Sequence, residues 1–249
     1  MQSSAVATFP PLVLAQGKVT VTFEDARRIV GGYAFGREPL RLGKMPTIAG
    51  QDPGELDRAR WSCAIYDFQP SDQGPLNYFD IIVSIGLSSQ IKEWAIAGML
   101  EMAPFVTEAL AHIPLDKTFW DLPPAEVKQL PDGSNAWWMN HAVKLLVAVH
   151  GVQFTVAHKT LHHKRPLLFP LLDNETVTVL PYKDSWTIIH DDLANHCAQF
   201  EALEQFVAKE VATRGGVQLT RLRIHDILVW TSVKGKSGNA SAAGAALGF

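Results

Sequence analysis

Apolar residues recur at helical spacing along most of this chain. Tyr78, Ile81, Ile82 and Ile85 fall three and four apart, and Gly86 ends that stretch. Ile91 to His112 is a second helical segment, with apolar residues around Trp94, Met99, Phe105 and Leu110. Pro104 is expected to kink or split it. Ser134-Asn135 caps a long amphipathic segment, Ala136 to His150, which carries Trp137, Trp138, His141, Lys144, Leu145 and Ala148 and ends at Gly151. Phe154 to His163 reads as another helix, closed before Pro166. Asp173 to Leu180 is a short candidate helix, and Asp184 to Lys209 a long one. Thr220 to Val233 is the last, with Leu222, Ile224, Ile227, Leu228 and Trp230 on or near its buried face. Near the start, Thr22 caps a helix through Val30 that Gly31-Gly32 is expected to stop.

Between these segments the pattern fades. Residues 31–60 carry many Gly and Pro and read as irregular. Cys63 to Tyr66 is a short apolar run, a strand or a buried loop, and Pro114 to Pro131 is a polar connection. No strand pattern is long enough to build a sheet, so the expectation is an all-α fold. Residues 1–18 read as a loose N-terminal arm, 19–233 as a single compact helical unit, and 234–249 as a disordered tail of Gly, Ser and Ala.

Composition adds limits. With 249 residues, 47% of them hydrophobic, the chain can bury a sizeable core. Its net charge of −3 argues against a strongly basic nucleic-acid binder, so any nucleic-acid surface is a local patch. Two cysteines, Cys63 and Cys197, are too few for a four-thiolate centre and read as buried thiols in a reducing compartment. Residues 1–16 have no basic start, and the longest apolar stretch, Ala142 to Val149, contains Lys144. The expected location is therefore cytoplasmic, with no membrane segment.

The segment that suggests chemistry runs from Gly151 to Val177. One helix ends at Gly151, a tight turn follows, and a second helix starts near Thr155. That helix ends in the basic cluster His158, Lys159, His162, His163, Lys164 and Arg165, and Phe169-Pro170-Leu171-Leu172-Asp173 comes next. The N–H groups at a helix start are unpaired, and the dipole there favours an anion, so the turn suits a phosphate. The cluster reads either as a phosphate-contacting patch or as a solvated helix end. Asp173 reads either as a helix N-cap or as a working carboxylate. Arg221, Arg223 and His225 read as the wet face of the last helix. Asp80 and Asp226, each among apolar neighbours, read as buried carboxylates paired to a cation.

Gly151, Val152, Ala157, Leu161, Phe169, Pro170, Leu172 and Asp173 together resemble the core of the helix-hairpin-helix DNA glycosylases, the adenine-mismatch branch in particular. The resemblance implies a helical bundle of two packed lobes and a DNA N-glycosylase that needs neither metal nor cofactor. Within it Asp173 stabilises the sugar cation, and Gly151, Gln153, Thr155, Lys159, Lys164 and Arg165 contact nucleic acid. The flipped base is received by a pocket for which Trp137 and Trp138 are candidates. Two positions depart from the pattern. Gln153 stands where the superfamily has a third glycine, and Thr155 where the lyase branch has its lysine, which points away from Schiff-base chemistry. The alternative function is a noncatalytic helical module that binds nucleic acid or a protein. Residues 20–232 also resemble an uncharacterised bacterial protein family.

Overall fold

The computed structural model describes residues 9–39, 57–59, 64–67, 71, 74–87 and 89–249. The chain opens on a two-stranded antiparallel hairpin, β1 (Leu12–Leu14) with β2 (Val19–Val21), in register Leu12 to Val21 and Leu14 to Val19. Its alternation is strict: Leu12, Leu14, Val19 and Val21 are buried, while Val13 and Thr20 face water. Residues 9–18 are thus not a loose arm. The hairpin is tied down where the Ala15 N–H donates to Asp192, at 2.8 Å. A second pair, β3 (Arg37–Pro39) with β4 (Asp57–Ala59), is equally short.

All other described elements are helical, and the fold is all-α. They are α1 (Phe23–Phe35), α2 (Ala64–Asp67), α3 (Tyr78–Val83), α4 (Glu93–Ala111), α5 (Pro124–Gln129) and α6 (Asn135–Val147). Then come α7 (Phe154–Lys164), α8 (Ser185–Asn195), α9 (Cys197–Arg214), α10 (Arg221–Val233) and α11 (Ser237–Ala246). One cluster of buried apolar side chains extends from Leu12 to Phe249 and takes in residues of every long helix. Polar caps set several starts: Thr22 accepts from the Asp25 N–H, Ser134 from Trp137 and Thr220 from Arg223. Asn77 and Asp80 form a reciprocal capping box at α3.

Several expectations change. Pro104 lies inside α4 on its exposed side without dividing the helix. The long segment after Asp184 breaks into α8 and α9 at His196, whose backbone leaves helical values (φ −120°, ψ 28°) and whose Nε2 meets the β1 backbone at Val13. Cys197, which follows, is exposed rather than buried, and Cys63 lies outside the described residues.

A further change joins α1 to α11. The glycine pair does not stop α1, which continues to Phe35, and residues 237–246 are helical rather than disordered. The reason is contact distance. A Cβ on Gly32 would lie 1.9 Å from the Ala240 carbonyl oxygen, and one on Gly244 would lie 2.1 Å from the Arg28 carbonyl oxygen. Small residues that suggest flexibility in a sequence here let two backbones touch. Phe249 closes the joint: its ring lies 5.9 Å from that of Phe35 and 4.9 Å from the Arg214 guanidinium.

Gly32→Ala and Gly244→Ala should therefore each destabilise the fold, by about 1–3 kcal/mol as for overpacked cores. Gly238→Ala, with open space around its Cβ, should be neutral or stabilising by up to about 1 kcal/mol. Urea unfolding of the three variants checks this. Equal effects at all three positions would refute the close-packing argument.

Candidate functional site: the cleft between α7 and α10

The site is built on α7, which packs on α3 and α6 and is buried from Thr155 to Lys164. Gly151 carries the positive φ of the turn before it (82°), whereas Gln153 has φ −82°. The turn therefore asks nothing unusual of Gln153, and the missing third glycine costs no strain. Gln153 makes no side-chain cap, and its carbonyl accepts the Val156 and Ala157 N–H groups.

The basic cluster on α7 is not a solvated patch. His158, Lys159, His162, His163, Lys164 and Arg165 are all buried, and each has an acceptor. The imidazole Nδ1 atoms of His158 and His162 lie 3.0 and 2.6 Å from the carbonyl oxygens of Pro170 and Phe169. Each therefore carries its proton on Nδ1 and donates it. His163 and Lys164 share Asp80, at 3.0 and 3.1 Å, and Lys164 also donates to the Pro75 carbonyl. Arg165 donates to the Pro114 carbonyl at 2.6 Å. Lys159 donates to the Leu87 carbonyl at 2.8 Å and pairs with Asp173 at 2.7 Å.

Helix α10 is equally buried, which overturns its expected wet face. His225 meets Asp192 at 2.8 Å. Arg223 holds Asp67 through two bonds of 2.7 and 2.9 Å and also contacts Asp226 and the Tyr33 hydroxyl. Arg221 alone of the three is half-exposed, pairing with Glu204 and Glu201.

Between α7 and α10 lies an open cleft of about 620 Å³. It is lined by Gln153, Thr155 and Lys159 at and after the start of α7, by Leu171 and Asp173 from the segment after α7, and by Arg223, Asp226 and Trp230 from α10. Asp173 is placed by two bonds. Its Oδ1 accepts the Glu175 N–H at 2.9 Å, capping the short 3-10 turn Asn174–Thr176, and its Oδ2 accepts from Lys159. The carboxylate is 17% exposed. A second cleft, of about 520 Å³, lies beyond Arg223 and is lined by Lys164, Arg165 and Leu219 among others.

The family model for a family of unknown function, DUF6308, matches residues 54–233. The chain belongs to that family. Neither a curated protein nor a solved structure matches it. The match takes in α7, Asp173 and α10 and leaves α1 and α11 outside, so this DUF6308 cleft is built mostly from the matched span.

Gln153, Thr155, Lys159 and Asp173, singled out from the sequence, share one cleft, with Gly151 in the adjoining turn. Four others do not join them. Lys164 and Arg165 are committed to buried partners and line the other cleft. Trp137 and Trp138 line neither, because they stack at 5.2 and 3.8 Å on His141 and His112. The aromatics on the cleft are Tyr33 and Trp230. Sequence reasoning paired Asp226 with a cation without seeing a cleft; the Arg223–Asp226 spacing of one helical turn is the signal that was present. Ser89 gave no signal. It lines the cleft, and its buried hydroxyl has no hydrogen-bond partner. Among the described residues no three His, Cys, Asp or Glu side chains converge as a metal site, and no helix is long and apolar enough to cross a membrane.

Burial holds the two core imidazoles below the usual 6.5, His158 at about 4 and His162 at about 3. Between pH 6.5 and those values the unfolded chain binds protons that the folded chain refuses, so acid lowers stability. Asp226, raised by burial to about 6, acts the other way between that value and 3.8. Two histidines against one carboxyl leave about one net proton. The folded state should then lose about 1.4 kcal/mol per pH unit from pH 6 towards 4.5. Urea midpoints across that range test this, and a flat or rising profile on acidification would contradict it.

Proposed function

We propose that the chain cleaves an N-glycosidic bond and releases a nucleobase from DNA, with Asp173 as the carboxylate beside the anomeric carbon. The observation that carries this reading is that Asp173 and the turn residues Gln153 and Thr155 face one open cleft. Its volume of about 620 Å³ falls within the usual range of small-ligand sites.

The chemistry follows from what each group has left to give. A carboxylate offers about four acceptor positions, and Asp173 spends one on the Glu175 N–H and one on Lys159. The remainder face the cleft, where they stabilise positive charge developing on a sugar or orient water. In the reaction the C1′–N bond breaks and its electron pair stays with the base nitrogen. A water oxygen bonds to C1′, and the two water protons end on the base and on the new hydroxyl. The start of α7 receives a backbone phosphate, the task expected of Gly151, Gln153 and Thr155. Lys159 is bound to a carbonyl and a carboxylate, so the reading is simple hydrolysis rather than Schiff-base chemistry. Lys164 and Arg165 take no part in it.

Asp173→Asn should lower base release by about 100-fold or more while circular dichroism and melting still report a folded protein. The assay is alkali cleavage of labelled duplexes bearing mismatched, alkylated, oxidised or deaminated bases. A wild-type protein that releases no base from any of them would overturn the reading.

A further inference from the structure

Among the described residues, each buried lysine or arginine has a carboxylate against it, with one exception. Lys159 has Asp173, Lys164 has Asp80 and Arg223 has Asp67, at 2.7, 3.1 and 2.7 Å. Arg165 forms no such pair. It is 7% exposed, and its hydrogen bond within the described chain runs from Nη2 to the Pro114 carbonyl. Burial lowers its proton affinity without removing its charge, and Asp116 acts on it only from a distance.

A guanidinium carries five N–H donors, so most of those on Arg165 are unspent. They are not sealed inside the protein. The buried side-chain atoms without a partner, among the described residues, are Ser89 Oγ, His158 Nε2, Thr160 Oγ1 and Trp186 Nε1. The spare N–H groups of Arg165 therefore reach open space, and the space that Arg165 lines is the second cleft, of about 520 Å³.

The rest of that cleft is apolar or already satisfied. Leu115, Pro166, Leu167, Val217 and Leu219 line it, and Leu115 and Leu167 are 62% and 39% exposed. The hydroxyls of Thr220, Ser71 and Tyr66 are spent on the Pro166 carbonyl, Asp80 and the Lys159 carbonyl. Lys164 and Arg223 are held by the carboxylates named above. One cation with donors to spare stands beside a lining of uncovered leucines.

We propose that this second cleft binds a small organic carboxylate, its charged end on Arg165 and its apolar body against Leu115, Leu167 and Leu219. The planar fork of a guanidinium matches a carboxylate through two parallel hydrogen bonds. One unpaired positive charge matches a ligand of one negative charge, and the leucines match a hydrocarbon portion. The volume lies in the range of small-ligand sites, and a cation only 7% exposed offers little to a duplex backbone. Of the residues described, only Arg223 lines both clefts, so this site stands apart from the N-glycosidase reading.

The test is calorimetric titration at neutral pH with three eight-carbon probes that differ in charge: octanoate, 1-octanol and octylammonium. Wild-type protein should bind octanoate at least about tenfold more tightly than either of the others. Arg165→Met, which keeps the apolar volume, should reduce octanoate to the affinity of 1-octanol. Leu115→Asp changes an exposed side chain and should weaken octanoate by about tenfold or more while circular dichroism reports an unchanged fold. The wild-type series and Leu115→Asp carry the test even where Arg165→Met does not fold. No octanoate binding by folded wild-type protein would overturn the proposal. So would equal affinity for the three probes, which would mean an apolar groove alone, or unchanged octanoate binding in a folded Arg165→Met or Leu115→Asp. Inorganic phosphate bound more tightly than octanoate would overturn it as well, since the leucines would then have no part.

Discussion

A helix that carries three imidazoles, two ammonium groups and a guanidinium at or near its end runs through the interior of this molecule, and the rest of the fold is arranged to make that possible. An unpaired buried cation costs several kcal/mol, and an unsatisfied polar group about 1–3. Most of that cost is avoided through acceptors drawn from five stretches of chain, the loop at Pro75, Asp80 on α3, Leu87, Pro114, and the segment Phe169–Asp173, while the buried His158 Nε2 has no hydrogen-bond partner. Each stretch must pass α7 at hydrogen-bond distance with its carbonyl or carboxylate turned inward. The last of them matters most for the cleft. The carbonyls of Phe169 and Pro170 bond to His162 and His158, so the chain runs back along α7 towards its start. That course brings Asp173 to Lys159, near the turn where α7 begins.

Arg223 plays the same part for the opposite wall. Its guanidinium binds α10 to α2 through Asp67 and to α1 through Tyr33. The apolar joint between α1 and α11 then fixes the far side of α1, where Gly32 and Gly244 allow backbone contact. The cleft is thus bounded by one helix held by carbonyls and another held by carboxylates.

How far this was legible in the sequence depends on whether the deciding partner was near or far along the chain. Local signals read well. Thr22 and Ser134 cap the helices they precede, and Gly151 takes the positive φ of the turn before α7, although α6 already ends at Val147. Long-range satisfaction was invisible. His163 and Lys164 look like a wet helix end until Asp80, more than 80 residues earlier, is found beside them. Gly31-Gly32 looks like a stop signal, and Gly244 like a flexible tail, until each is seen to admit the other's helix. Within the candidate site, Asp173 and the turn were legible through their spacing. The opposite wall was not, because periodicity gives Arg223 and Asp226 the same turn of α10 but not the carboxylate of Asp67 that makes their burial tolerable.

At Asp173 the two readings that the sequence left open, helix cap and working carboxylate, do not exclude one another. A cap uses one oxygen, and here Oδ1 serves the Glu175 N–H while Oδ2 receives Lys159. Two bonds from groups anchored in different elements fix both the position and the plane of the carboxylate. Positioning of this kind is what a carboxylate needs in order to meet a charge that exists only in the transition state, since a freely rotating one spends energy on ordering as the charge appears. The cap is therefore part of what would make the group effective. The buried ion pairs fit the same argument. Replacing such pairs with apolar residues is often neutral or stabilising, so stability alone does not account for a cleft wall built from Lys159, Asp173, Arg223 and Asp226. A wall of that composition makes physical sense where charge must be held in place against a substrate.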